Sequence, residues 1–217
     1  SCFAIDTEIY RPLDQQLTAA LRQSYAGHSP IFFMPCRPEP IKGKPLAIEA
    51  FARYLKHQPR AMLWMVEWGK EQMNVGGSEY YYEKELVKSL AIERNVVWLP
   101  LMHKHALVRH YNAADAIIDN VNPVAGCCGT TMLEALSCGR PVINYAKPKL
   151  WLRWHGSVPP VLQAKSAAEV YKRMLELEDE STREEYGAKG RTWVKETCEM
   201  KLIASQQMEI YREVAEF

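Results

Sequence analysis

Arg37 and Lys42 lie in the stretch Pro35-Cys36-Arg37-Pro38-Glu39-Pro40-Ile41-Lys42-Gly43-Lys44, between an apolar run and an amphipathic one. Two cations beside a helix start, with its unpaired N–H groups and positive dipole end, suit a diphosphate. Gly43 lets the backbone approach closely. Further on, Gly126 and Gly129 precede a second helix start at Thr130 and Thr131, whose backbone N–H groups can also face an anion. Glu134 sits about one turn into that helix. A carboxylate at that depth can accept a hydrogen bond from each of two adjacent hydroxyls, as a ribose presents. Taken separately, the first segment also reads as a solvated basic loop, and Glu134 as a complement to the helix dipole.

These residues need a scaffold that gathers strand ends and helix starts on one edge. Short apolar runs alternate with amphipathic stretches, which predicts βαβ units and a parallel sheet of about six strands with helices on both faces. The expected strands are Ile31–Cys36, Ala61–Val66, Asn95–Leu99, Ala116–Asp119, Pro141–Tyr145 and Pro160–Ala164. Ile31–Met34 and Met62–Met65 are apolar throughout, as strands covered on both faces require. The expected helices are Lys44–His57, Ser78–Ile92, Lys104–Ala114, Gly129–Cys138, Ala167–Leu177 and Thr182–Cys198, with one more near the C-terminus. Ser166 with Glu169 forms a capping-box pattern, Ser181-Thr182-x-Glu184 a weaker one, and Gly139 a helix-ending glycine. In such sheets ligands sit beyond the carboxyl ends of the strands. The loops at 37–44, 67–77, 100–105, 120–131 and 146–158 are therefore the places to look.

Composition narrows the classes. Lys+Arg is 27 against Asp+Glu 26, so the chain carries no charge excess that would favour nucleic acid. No apolar run approaches the roughly 20 residues of a membrane span. The six cysteines form no C-x-x-C pair and read as free thiols in a reducing compartment, hence a cytoplasmic placement. His103, His105 and His110 with Cys127 and Cys128 fit no common zinc spacing, so no metal is expected. His103 and His105 sit where a base or ribose could be touched, or simply at the surface. Tyr80-Tyr81-Tyr82 reads as a partly buried helix face. Trp151 and Trp154, with Lys147, Lys149 and Arg153 around them, read as ordinary packing or as an interdomain or peripheral membrane patch.

The two cation and carboxylate segments, taken together, resemble the family 4 glycosyltransferases of the GT-B fold. That family carries an arginine, four residues, then Lys-Gly after the first strand of its donor domain, as do Arg37 and Lys42-Gly43. It also carries a run like Gly129, Leu133-Glu134-Ala135 and Gly139-Arg140-Pro141-Val142-Ile143. Val96–Pro100 and Tyr111-Asn112-x-x-Asp115-Ala116 resemble the strand and helix end that precede the family's site. Ile5-Asp6-Thr7-Glu8-x-Tyr10-x-Pro12 resembles the run leaving the interdomain hinge. The resemblance implies that residues 1–217 are a single donor-nucleotide domain, the C-terminal half of a GT-B fold, with 1–12 as a hinge-like lead-in. It implies Arg37 and Lys42 on the diphosphate and Glu134 on the ribose of a nucleotide sugar. It implies transfer with retention and without a metal cofactor, to an acceptor held by an N-terminal domain outside these residues.

Two positions depart from the pattern. Gly126 stands where the family usually has a first glutamate, and Glu67-Trp68-Gly69 stands where Gly-x-Gly is common. Trp68 then either lines the nucleotide pocket or covers the sheet end. A nucleotide-sugar 2-epimerase of the same fold, or a non-catalytic interaction module, are the competing expectations.

Overall fold

The computed structural model describes residues 3–68, 77–124 and 129–215, the side chains of 77–80 excepted. Among these, six strands form one parallel sheet: β1 Ile31–Met34, β2 Met62–Val66, β3 Val96–Leu99, β4 Ala116–Ile118, β5 Val142–Asn144 and β6 Leu162–Gln163. Their order is β3-β2-β1-β4-β5-β6, with parallel pairing throughout. The doubly wound α/β expectation therefore holds, and the strand order reverses between β1 and β4.

The helices are α1 Gln15–Gln23, α2 Lys44–Leu55, α3 Gly77–Ser89, α4 Lys104–Ala113, α5 Thr130–Ser137, α6 Pro148–His155, α7 Ala167–Glu176, α8 Glu180–Thr197 and α9 Met200–Ala215. Alternate strand residues feed opposite faces, as the pleat demands. Ile31, Phe33, Trp64 and Ile117 join a core with α4, α5 and α8. Phe32, Met34, Leu63, Met65 and Ile118 join another with α2, α3 and α7. Every residue of β1 and β2 is buried, which accounts for their unbroken apolar runs.

Two helices were not expected from the sequence, α1 and α6. In α1 only Thr18 is buried, with Leu21 half-buried against the core, so its apolar side is short and narrow. Instead Asp14 accepts from the Gln16 N–H, and Arg22 donates to the Ala113 carbonyl and Asp115, both at 3.0 Å. In α6 only Trp151 is buried. Its ring stacks on His155 at 5.0 Å and meets Trp193 edge-on at 5.6 Å. Trp151 is thus core packing, while Trp154 remains exposed.

Local details also shift. The Ser166 Oγ accepts from the Glu169 N–H at 3.3 Å, but the Glu169 carboxylate reaches Lys165 N, one residue before the cap. The cap of α8 is Asp179, accepting from Thr182 N at 2.8 Å, rather than Ser181 or Thr182. Gly139 does adopt a left-handed conformation, φ 69°, at the end of α5. Tyr81 and Tyr82 are exposed rather than partly buried. The lead-in is tied down: Ile5 N donates to Cys198 O at 2.8 Å, and the Asn112 side chain bonds both Leu13 N and Arg11 O.

Lys44 opens α2 and pairs with Glu83 of α3 at 3.1 Å, with the two side chains 1% and 2% exposed. Breaking such a pair strands a buried charge, whereas replacing both partners removes the desolvation cost. Lys44→Ala and Glu83→Ala should each lose roughly 3–5 kcal/mol in denaturant unfolding, while Lys44→Met/Glu83→Leu stays near neutral. Equal small losses in all three would refute the pair's role in joining α2 to α3.

Candidate functional site

The site lies at the carboxyl edge of the sheet, where β1 and β4 send their chains apart. After β1, residues Pro40–Lys42 form a 3-10 turn that ends at Gly43 with φ 69°. That turn is held from the β4 side. Val121 N donates to Lys42 O at 3.1 Å, and Asn122 Nδ2 donates to Pro40 O at 2.9 Å. After β4, the chain returns through Gly129, which precedes α5 with no side-chain cap bond. The N–H groups of Thr130 and Thr131 in its first turn are the ones suited to an anion, while those of Gly129 and Met132 act on Asp119.

A cleft of about 430 Å³ opens between these loops. Arg37, Lys42, Gly129, Thr130, Thr131 and Glu134 all line it. Six of the eight residues expected from spacing and resemblance thus share one cleft. Gly43 is not among the lining residues. A Cβ there would lie 2.9 Å from Asn122 N and 3.2 Å from the Val121 carbonyl carbon, so its close approach is to the β4 loop. Gly126 lies outside the described residues, as do Cys127, Cys128 and Gly69.

The charges in the cleft are organised. Arg37 is exposed, its guanidinium 3.7 Å from Glu39. Lys42 is more enclosed, its side chain 16% exposed, with Nζ 3.8 Å from Asp119 Oδ1. Glu134 receives the Tyr111 hydroxyl at 2.7 Å. Burial raises the Glu134 pKa above the usual carboxylate value, and hydrogen bonds from Tyr111 and Tyr10 act to lower it. Val66, Trp68, Leu101, Met102 and Leu107 add an apolar part to the lining. Trp68 both lines this part and packs on the core beneath, so the two readings of it coincide.

Other candidates are placed elsewhere. His103 and His105 are exposed and do not line the cleft. No group of three or more His, Cys, Asp and Glu suited to a metal occurs among the described residues. Cys36 borders the cleft, but burial pushes its thiol up to about 12, which leaves it a poor nucleophile. Cys36, Cys138 and Cys198 are buried free thiols. Asp119, Tyr10 and Tyr111 were missed as site residues. Asp119 lies too far from Lys42 in sequence for spacing to join them, although Tyr111 stands in a segment already marked by resemblance. No helix among the described residues is long and apolar enough to cross a membrane.

A doubly wound parallel sheet with a crevice at the reversal of strand order defines an open α/β class of domain. Its fold is that of the C-terminal domain of GT-B glycosyltransferases. Residues 21–193 match the family described as glycosyl transferases group 1, and the chain belongs to that family. It is similar to HepE of Anabaena, solved in complex with UDP and glucose, at TM-score 0.78 and 18% identity over 97% of this chain and 55% of that one. It is similar to sucrose-phosphate synthase of Thermosynechococcus elongatus, at TM-score 0.76 and 19% identity over 99% and 52%. The C-terminal domain of the group 1 glycosyl transferase LpcC of Francisella tularensis matches at TM-score 0.65 and 18% identity, over 88% of this chain and 97% of that domain. The chain spans about half the length of the HepE and sucrose-phosphate synthase chains. No curated protein sequence matches it.

The Glu134 bond gives a direct test of the site's electrostatics. Tyr111 stabilises the charged carboxylate, so Tyr111→Phe should raise the Glu134 pKa further. Carbon-13 NMR titration of the side-chain carboxyl reads this, and an unchanged or lower value would show that the hydroxyl does not hold it.

Proposed function

We propose that this chain is the donor domain of a retaining hexosyltransferase, binding a nucleoside diphosphate sugar for transfer to an acceptor held on a separate N-terminal domain. One observation carries the reading: Arg37, Lys42, the start of α5 and Glu134 line a single cleft at the reversal of strand order. HepE, whose fold this chain shares, is known with UDP and with UDP-glucose, which supports a nucleotide sugar as the ligand class.

In this reading the diphosphate lies against Arg37, Lys42 and the N–H groups of Thr130 and Thr131. Glu134 accepts hydrogen bonds from the ribose, and the wall of Trp68, Leu101 and Met102 receives the base. Negative charge grows on the diphosphate as the bond to the anomeric carbon breaks. Preplaced cations and a helix start stabilise that charge more than the ground state, which is how they accelerate the reaction. Two side-chain cations do the neutralising that a divalent ion would otherwise do, so this mechanism calls for no metal cofactor. The acceptor completes the reaction from the far side of the cleft, so this domain alone binds donor without efficient transfer. A cytoplasmic setting, with peripheral membrane contact through exposed Trp154 and the basic residues Lys147, Lys149 and Arg153, fits the same scheme.

Calorimetry with UDP, GDP and ADP tests this. At least one should bind, and Arg37→Ala and Lys42→Ala should each weaken it about ten- to a hundredfold, the loss of one charge-assisted contact. Failure of all three to bind, or a double variant equal to wild type, would remove the basis for the reading.

The pH dependence follows from Glu134. Its carboxylate must be charged to accept from both ribose hydroxyls, and its pKa lies above the usual value. Affinity should therefore fall as pH drops through that raised pKa, and Tyr111→Phe should move the fall to higher pH. The nucleotide phosphates titrate in acid as well, so the diagnostic part is the limb that Glu134→Gln abolishes. A profile identical in that variant would exclude Glu134 from the ribose.

A further inference from the structure

Asp119 follows β4 directly beneath the cleft. It is fully buried, and the backbone N–H groups of Gly129, Asn120 and Met132 approach its carboxylate. A carboxylate out of water and unpaired is strongly disfavoured. Burial raises its pKa, while the Lys42 ammonium, 3.8 Å from Oδ1, favours the charged form. The N–H groups of Gly129, Asn120 and Met132 also favour the charged form, against desolvation.

The surroundings show why the ammonium sits there. Gly129 lies alongside it: a Cβ at that position would be 2.7 Å from Lys42 Nζ and 3.5 Å from Asp119 Oδ2. Lys42 lines the cleft and Asp119 does not, so the ammonium lies between a buried carboxylate and the open space. At 3.8 Å the contact is an ion pair rather than a direct hydrogen bond. Lysine carries its charge on a flexible four-carbon stem, which costs rotamer entropy to fix.

We propose that Asp119 is a positioning residue: from below, it fixes the Lys42 ammonium at the cleft floor, so that the cation is in place before a diphosphate arrives. The proposal rests on the donor-site reading above. It assigns to Asp119 no contact with the ligand. Preorganising one such side chain is worth about three- to tenfold in affinity.

The test is a double-mutant cycle on the chain, by calorimetry. The probe is whichever of UDP, GDP and ADP binds wild type, compared with its nucleoside. Asp119→Asn keeps the side-chain shape and removes the charge. It should weaken the diphosphate about three- to tenfold and leave the nucleoside unchanged. In a Lys42→Ala background the same substitution should cost nothing further. Equal diphosphate affinity in Asp119→Asn and wild type would overturn the proposal. So would an equal loss for the nucleoside, or an undiminished loss without Lys42. If wild type binds the nucleoside diphosphate but the cycle shows no coupling, this proposal alone falls. If wild type binds none of the three, the donor-site reading fails and takes this one with it. Should Asp119→Asn not fold, Asp119→Glu, which keeps the charge but shifts it by a methylene, must show the same diphosphate-selective loss.

Discussion

The chain leaves β1 for one face of the sheet and leaves the neighbouring β4 for the other. α2 packs with the core that holds Phe32 and Met34, while α5 packs with the core that holds Phe33 and Ile117. Two adjacent parallel strands thus send their connections apart, and no backbone can fill the gap between them. The start of α5 borders the gap, so that side carries partial positive charge before any side chain is added. Arg37 and Lys42 reinforce that charge from the β1 side, and Glu134 offers an acceptor deeper in α5. The site's chemistry follows from this divergence, and the loops need only supply residues small enough to leave the gap open.

Lys42 and Lys44 show how finely the turn divides labour. They stand two positions apart, yet Lys42 faces the cleft and Lys44 is buried against Glu83. Gly43 separates them in the left-handed region, with room for no Cβ against the β4 loop. That conformation ends the 3-10 turn and starts α2 in a new direction, which turns the second lysine inward. Gly43 therefore contributes to the site through backbone direction, although it does not line the cleft.

Much of this was legible in the sequence because it depends on local pattern. Doubly covered strands must be apolar at every position, and β1 and β2 are. Arg37, Lys42 and Glu134 sit in short segments whose spacing encodes a strand end or a helix start. What escaped was either weakly patterned or long-range. α1 is nine residues long, with a single buried residue, and is held by the Asp14 cap and by Arg22, so its short apolar side reads easily as loop. α6 rests on Trp151 alone. The cap at Asp179 lies only two residues from Ser181, and which side chain captures the first N–H groups is settled by where the chain turns after α7, which no residue type announces.

The long-range cases matter most for function. Glu134 has its position fixed by Tyr111, from α4, and Lys42 has its charge countered by Asp119, at the end of β4. Neither partner shares a segment with the residue it serves. Both lie on elements flanking the strand reversal, which brings them within a few ångströms of the cleft wall while keeping them out of solvent. Burial gives these supporting interactions their strength, since a partner screened by water would orient little. A motif read along the chain names the groups that face a ligand. The groups that hold those in place are set by the sheet's topology, and so become visible only once β1 and β4 are seen side by side.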